Sequence, residues 1–229
     1  MDQSIRLNKF LAERLGISRR EADDLIASSL VFVDDKPAVL GQRIDKTSKV
    51  WYNGMGVAYE PDFSYIAMNK PVGYVCSRKR QGDVPTIYEL LPEKYKLLKT
   101  VGRLDKDSSG LILLTNDGDF AYQMTHPKFF KEKRYEVELD HALEPLHQQE
   151  IADFGIEIGD GVSKMGLVRL NDGRTKFLVT LHEGRNRQIR RTFAALGYRV
   201  VALHRISFGA YELSGLETGK YVELPAPKK

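Results

Sequence analysis

The stretch from Gly102 to Thr115 constrains this chain more than any other part of it. Gly102-Arg103-Leu104-Asp105-Lys106-Asp107-Ser108-Ser109-Gly110 gathers two carboxylates, two hydroxyls and two glycines, and Leu111-Ile112-Leu113-Leu114-Thr115 follows at once. An apolar run of this kind predicts a buried strand. A polar loop anchored by such a strand can hold a reactive group in place. Asn116-Asp117-Gly118-Asp119 then predicts a turn that caps the next helix.

No purely apolar run is longer than Leu111 to Leu114, so no segment reads as a bilayer-spanning helix. With 229 residues, 42% hydrophobic and 29% charged, the composition fits a folded chain with a sizeable core. Met1 to Lys9 has no apolar signal core. Cys76 is the single cysteine, and no Cys/His spacing suggests zinc. A cytoplasmic protein, without a membrane partner, is expected. The net charge of +4 is modest, and residues 1–60 balance 9 basic against 9 acidic residues. Any nucleic-acid surface must therefore be built from local clusters.

Two parts are expected, 1–60 and 61–229, with Gly54, Gly56 and Pro61 marking the boundary. In the first part, Leu7, Phe10, Leu11 and Leu15 recur at helical spacing and Gly16 closes the helix. Ser18 and Glu21 form a capping box for a second helix carrying Ala22, Leu25 and Ile26. Strands follow at Val31-Phe32-Val33 and near Lys49 to Tyr52. In the second part, strands are predicted at 65–68, 111–115, 134–139, 166–170, 176–182 and 198–203, and helices at 86–91, 118–124, 144–153 and 186–196. Short links between successive strands favour an α+β fold with a mixed, mainly antiparallel sheet.

A second cluster runs from His182 to Arg191 as His-Glu-Gly-Arg-Asn-Arg-Gln-Ile-Arg-Arg, and Gly197 closes its helix. Arg187, Arg190 and Arg191 share one helical face, while Ile189, Phe193 and Leu196 can dock on the core. Guanidinium groups on a rigid helix suit phosphates, and one can turn to a carboxylate. A solvated basic face is the plain alternative. Few acidic residues follow Glu183, so the arginines are expected to repel one another unless an anion binds.

The Gly102–Gly110 loop also admits other readings. It can be an ordinary solvated loop. A calcium loop fails, because the position needing a bidentate Glu is Asn116. A glycosidase pair, Asp105 with Asp107 or Asp117, needs a separation that sequence does not give.

Taken in order, the motifs resemble the RsuA/RluB family of bacterial rRNA pseudouridine synthases over essentially the whole chain. Residues 1–60 resemble an S4 RNA-binding domain. Asn69-Lys70-Pro71, Gly102-Arg103-Leu104-Asp105, Lys133-Arg134-Tyr135 and Glu183 to Arg191 resemble the family's successive signatures. The resemblance implies a small S4-like α/β domain followed by a catalytic domain with its cleft across the sheet. It implies that a uridine in ribosomal RNA is isomerised after base flipping, with no metal and no organic cofactor. Asp105 is the implied catalytic aspartate, Arg190 its cationic partner and Tyr135 the active-site tyrosine, with Leu203 supporting the base. Arg103 is expected to order the loop or touch the flipped nucleotide's backbone. Arg185, Arg187 and Arg191 are phosphate candidates, as are Arg19 and Arg20 at a helix start, extended by Arg6, Lys9 and Arg43. The expected partner is rRNA or a subunit assembly intermediate, the expected state a monomer. The spelling of Arg185-Asn186-Arg187 and Arg190-Arg191 leans towards large-subunit rRNA. A non-catalytic RNA binder and a base-releasing hydrolase are the rival functions.

Overall fold

The computed structural model describes residues 4–59, 63–80 and 82–227. The expected boundary between residues 60 and 61 lies outside them.

The first part folds around its own buried residues. Helix Leu7–Arg14 buries Leu7, Phe10 and Leu11, and helix Arg19–Ala27 buries Ala22 and Ile26. They meet Val31, Val33 and Val50 of two antiparallel strands, Val31–Val33 and Val50–Tyr52. The capping box is present: Glu21 N–H donates to Ser18 Oγ at 3.1 Å, and Ser18 N–H to Glu21 Oε2 at 2.6 Å. This part is tied to the rest through backbone carbonyls left over where helix Leu7–Arg14 ends. Arg78 donates to Gly16 O at 3.1 Å and Lys99 to Ile17 O at 2.8 Å.

The rest is built on one sheet. From edge to edge its main strands are Gly166–Arg169, Lys176–Leu181, Lys133–Leu139, Val200–Phe208, Ser109–Thr115, Tyr65–Lys70 and Tyr221–Glu223. Every pairing is antiparallel except Val200–Phe208 with Ser109–Thr115, so the sheet is mixed and mainly antiparallel within an α+β fold. The unbroken apolar run has a direct cause. Ile112 and Leu114 face one core with Ile66 and Met68, while Leu111 and Leu113 face a second core with Tyr65 and Ala67. Ile189 and Phe193 of helix Gln188–Ala195 cover the first core, and Phe120 and Met124 of helix Gly118–Thr125 the second.

The parallel pairing depends on Gly110, which lies opposite Arg205. A Cβ on Gly110 would stand 2.2 Å from the Arg205 carbonyl oxygen, and its φ of +105° also favours glycine. This close approach brings the loop preceding Ser109 against the strand that carries Leu203 and Arg205.

Four expected elements differ. The helix expected at 86–91 is a single tight turn, Ile87–Leu90, opened by a Thr86/Glu89 capping box and followed by Pro92. The one expected at 144–153 splits into Pro145–Gln149 and a wider turn, Glu150–Phe154, that ends at Gly155. The strand expected at 198–203 runs instead from Val200 to Phe208. The helix expected at 186–196 begins only at Gln188.

Candidate active site

A cavity of about 350 Å³ opens where the Gly102–Gly110 loop, strand Lys133–Leu139, strand Val200–Phe208 and the segment before helix Gln188–Ala195 converge. Asp105, Arg103, Tyr135, Leu203, Arg185 and Arg187 all line it. Tyr135 pairs with Arg205 across the sheet, and Val137 with Leu203. Tyr135 and Leu203 are therefore diagonal neighbours on one face, each less than a tenth exposed. Arg103 is exposed at the rim.

The electrostatic centre is Arg187, which precedes the helix in a left-handed conformation with φ +48°. Such a φ is uncommon outside glycine and turns its side chain away from the helical face expected for it. Its guanidinium donates to both Asp107 oxygens at 3.1 Å and stands 3.4 Å from Asp105 Oδ2. Burial pushes the Asp107 carboxyl up, but the Arg187 hydrogen bonds and the Arg190 charge hold it below the ordinary carboxylate range.

The expected pairing of Arg190 with Asp105 is corrected. Arg190 donates to Val200 O at 2.7 Å and to the Asp107 carbonyl at 2.8 Å, and its Nε lies 3.4 Å from the Asp107 carboxylate. One turn into the helix, it is held over strand Val200–Phe208, so Arg187 takes the Asp105 contact. Arg190 supports the loop through Asp107 and is not among the described residues lining the cavity.

The expected repulsion among the arginines is also corrected, because acids and carbonyls of the 158–162 segment, together with Glu183, meet them. Arg191 donates to Ile158 O at 2.9 Å and to Asp160 Oδ2 at 2.9 Å, facing the 158–160 segment. Arg185 reaches Val162 O at 2.6 Å and Glu183 at 2.7 Å. Arg19 and Arg20 are exposed in the first turn of their helix but do not line the cavity. Lys9 is tied to Asp119 at 2.6 Å, and Arg43 to Ser4.

Sequence reasoning missed two contributors. Arg205 is 2% exposed, lines the cavity and donates to Leu111 O at 2.7 Å, yet a second guanidinium nitrogen, Nη2, has no partner. The signal was the alternation Leu203, Arg205, Ser207, which continues the strand but places a charge on its buried face. Lys70, singled out only by its motif, is fully buried and donates to Ser108 O at 2.6 Å, fixing the loop from beneath. Burial lowers its pKa.

A family model described as RNA pseudouridylate synthase matches residues 64–195. The chain is 38% identical to a protein of Pasteurella multocida named ribosomal small subunit pseudouridine synthase A, covering 97% of both chains. A Vibrio cholerae protein of the same name is 37% identical, with 95% of this chain and 94% of that one covered. A crystal structure of a pseudouridylate synthase superimposes with a TM-score of 0.69 at 34% identity, covering 96% of each chain.

Proposed function

This chain belongs to the RNA pseudouridylate synthase family, and from that premise we propose that it converts one uridine of small-subunit ribosomal RNA to pseudouridine. The observation that carries the reading is the convergence of Asp105, Tyr135, Leu203 and Arg205 on one cavity. The expected lean towards large-subunit rRNA finds no support, since the relatives from P. multocida and V. cholerae are named for the small subunit.

The reaction is an isomerisation. The N1–C1′ bond breaks, the freed uracil turns within the cavity, a C5–C1′ bond forms, and the proton on C5 is given up while N1 gains one. The target base must first leave its stack, at a cost of about a few kcal/mol. Asp105 acts at the glycosidic centre, where a carboxylate can attack the sugar or the base or take a proton from the sugar. Arg187, 3.4 Å away, aims the Asp105 carboxylate. The Tyr135 ring stacks on the uracil with Leu203 supporting it, and the Tyr135 hydroxyl assists removal of the C5 proton. The unpartnered nitrogen of Arg205 offers a hydrogen bond to a uracil carbonyl.

Residues 1–60 act as an S4-like RNA-binding domain and 61–229 as the catalytic domain. Arg19 and Arg20 meet a phosphate where the helix dipole adds to their charge. The enzyme works as a cytoplasmic monomer on rRNA or an assembling subunit. Pseudouridine mapping in rRNA from cells with and without the gene tests the reading. One small-subunit site should lose its modification in the deletion strain and regain it when the gene is restored. A map unchanged by deletion contradicts it.

A further inference from the structure

Beside the cavity lies a second hollow, of about 810 Å³. The two share Pro127, Leu181, His182, Glu183 and Arg185, so they adjoin. At its edge stands Phe130, 74% exposed in a left-handed conformation with φ +46°. A bulky side chain in that region of backbone space is an outlier, and here it presents a ring to solvent instead of the core. In the preceding helix and turn, Tyr122, His126 and Phe129 pack edge to face or tilted, with the Lys128 ammonium 4.8 Å from the Phe129 ring centroid.

The charge in the hollow fits a polyanion. Lys128, Lys164 and Arg185 line it; Arg185 already meets Glu183 and Asp160, while Lys128 and Lys164 make no ion pair among the described residues. An exposed ring with cations nearby is the chemistry that takes a nucleobase by stacking and its phosphate by charge.

We infer that this hollow is a binding site for the nucleotide next to the flipped uridine in the substrate RNA, with its base stacked on Phe130. The inference rests on the proposed function, because it takes the adjoining cavity as the place of the target uridine. Arg185 stands at the junction of the two hollows, where the intervening phosphate passes. The subsite makes the presence of an unstacked flanking nucleotide part of substrate selection while leaving the reacting atoms alone.

The experiment uses the full-length enzyme and isolated small ribosomal subunits from the deletion strain, with two readouts. In the first, Phe130→Ala should raise KM about tenfold, the loss of one base stack, with little change in kcat. Phe130→Trp should restore KM. In the second, ultraviolet cross-linking of the wild-type protein to the same particles, followed by mass spectrometry, should attach an rRNA nucleotide to the peptide carrying Phe130. An unchanged KM in Phe130→Ala overturns the inference. So does a cross-link from that peptide to a ribosomal protein in place of rRNA. If the wild-type enzyme makes no pseudouridine, the proposed function fails, and the cross-link alone decides whether the hollow takes RNA.

Discussion

Arg187 donates two hydrogen bonds of 3.1 Å to Asp107 while standing 3.4 Å from Asp105. One guanidinium thus bridges two acids of the same loop, and the closer of them is not the one assigned to chemistry. Asp107 anchors the cation, and the cation presents itself to Asp105. Coulomb attraction at such a separation matters because the site is partly shielded from water.

Arg187→Lys should therefore damage turnover although charge is conserved. An ammonium cannot make the paired contact with Asp107 and still reach Asp105. We expect kcat to fall on the order of 10–100-fold, since the cation orients Asp105. Steady-state kinetics on small-subunit rRNA checks this, and a kcat near wild type would show that Asp105 needs no such support.

The depressed pKa of Asp107 carries a pH signature. Above about pH 3.9, the ordinary aspartate value, both folded and unfolded chains hold this carboxyl ionised and the native contacts stabilise in full. As pH falls below that value, the unfolded chain takes up the proton first, so stability declines until the folded carboxyl protonates as well. Asp107→Asn should flatten part of that decline. Thermal melting between about pH 5 and 3 reads the difference from wild type. The side chain is 48% exposed, so the effect should be small.

Gly110→Ala should be among the costliest small substitutions in the chain. The added methyl would meet backbone atoms of Arg205 at 2.2 and 2.5 Å, and neither strand can move without breaking its ladder. A loss of about 2–4 kcal/mol is expected in urea unfolding. Gly197→Ala is the control. It has a φ of +89° but nothing within 4 Å, so it should cost only about 1–2 kcal/mol.

The parts legible in the sequence were those governed by neighbours along the chain. The Ser18 capping box, the Asp117 cap and the Gly197 closure depend on residues within a turn, and all are present. The buried strand behind the loop followed from composition alone, and Asp105, Tyr135 and Leu203 do meet in one cavity. What sequence did not reveal depended on distant partners. Which arginine reaches Asp105 is set by the left-handed turn at Arg187, and that turn accompanies its contacts with acids eighty residues away. Arg205 stayed hidden because a charged residue reads as the end of a strand. Its nearest hydrogen-bond acceptor, Leu111 O, lies on another strand of the sheet.

The central claim is that Asp105 performs the chemistry. Its most direct test is tritium release from small-subunit rRNA labelled at uridine C5, comparing wild type with Asp105→Asn while RNA affinity is measured alongside. Loss of a positioned acid–base or nucleophilic group predicts release reduced by at least about 10³-fold, with affinity within a few-fold of wild type. Substantial release by Asp105→Asn would contradict the assignment.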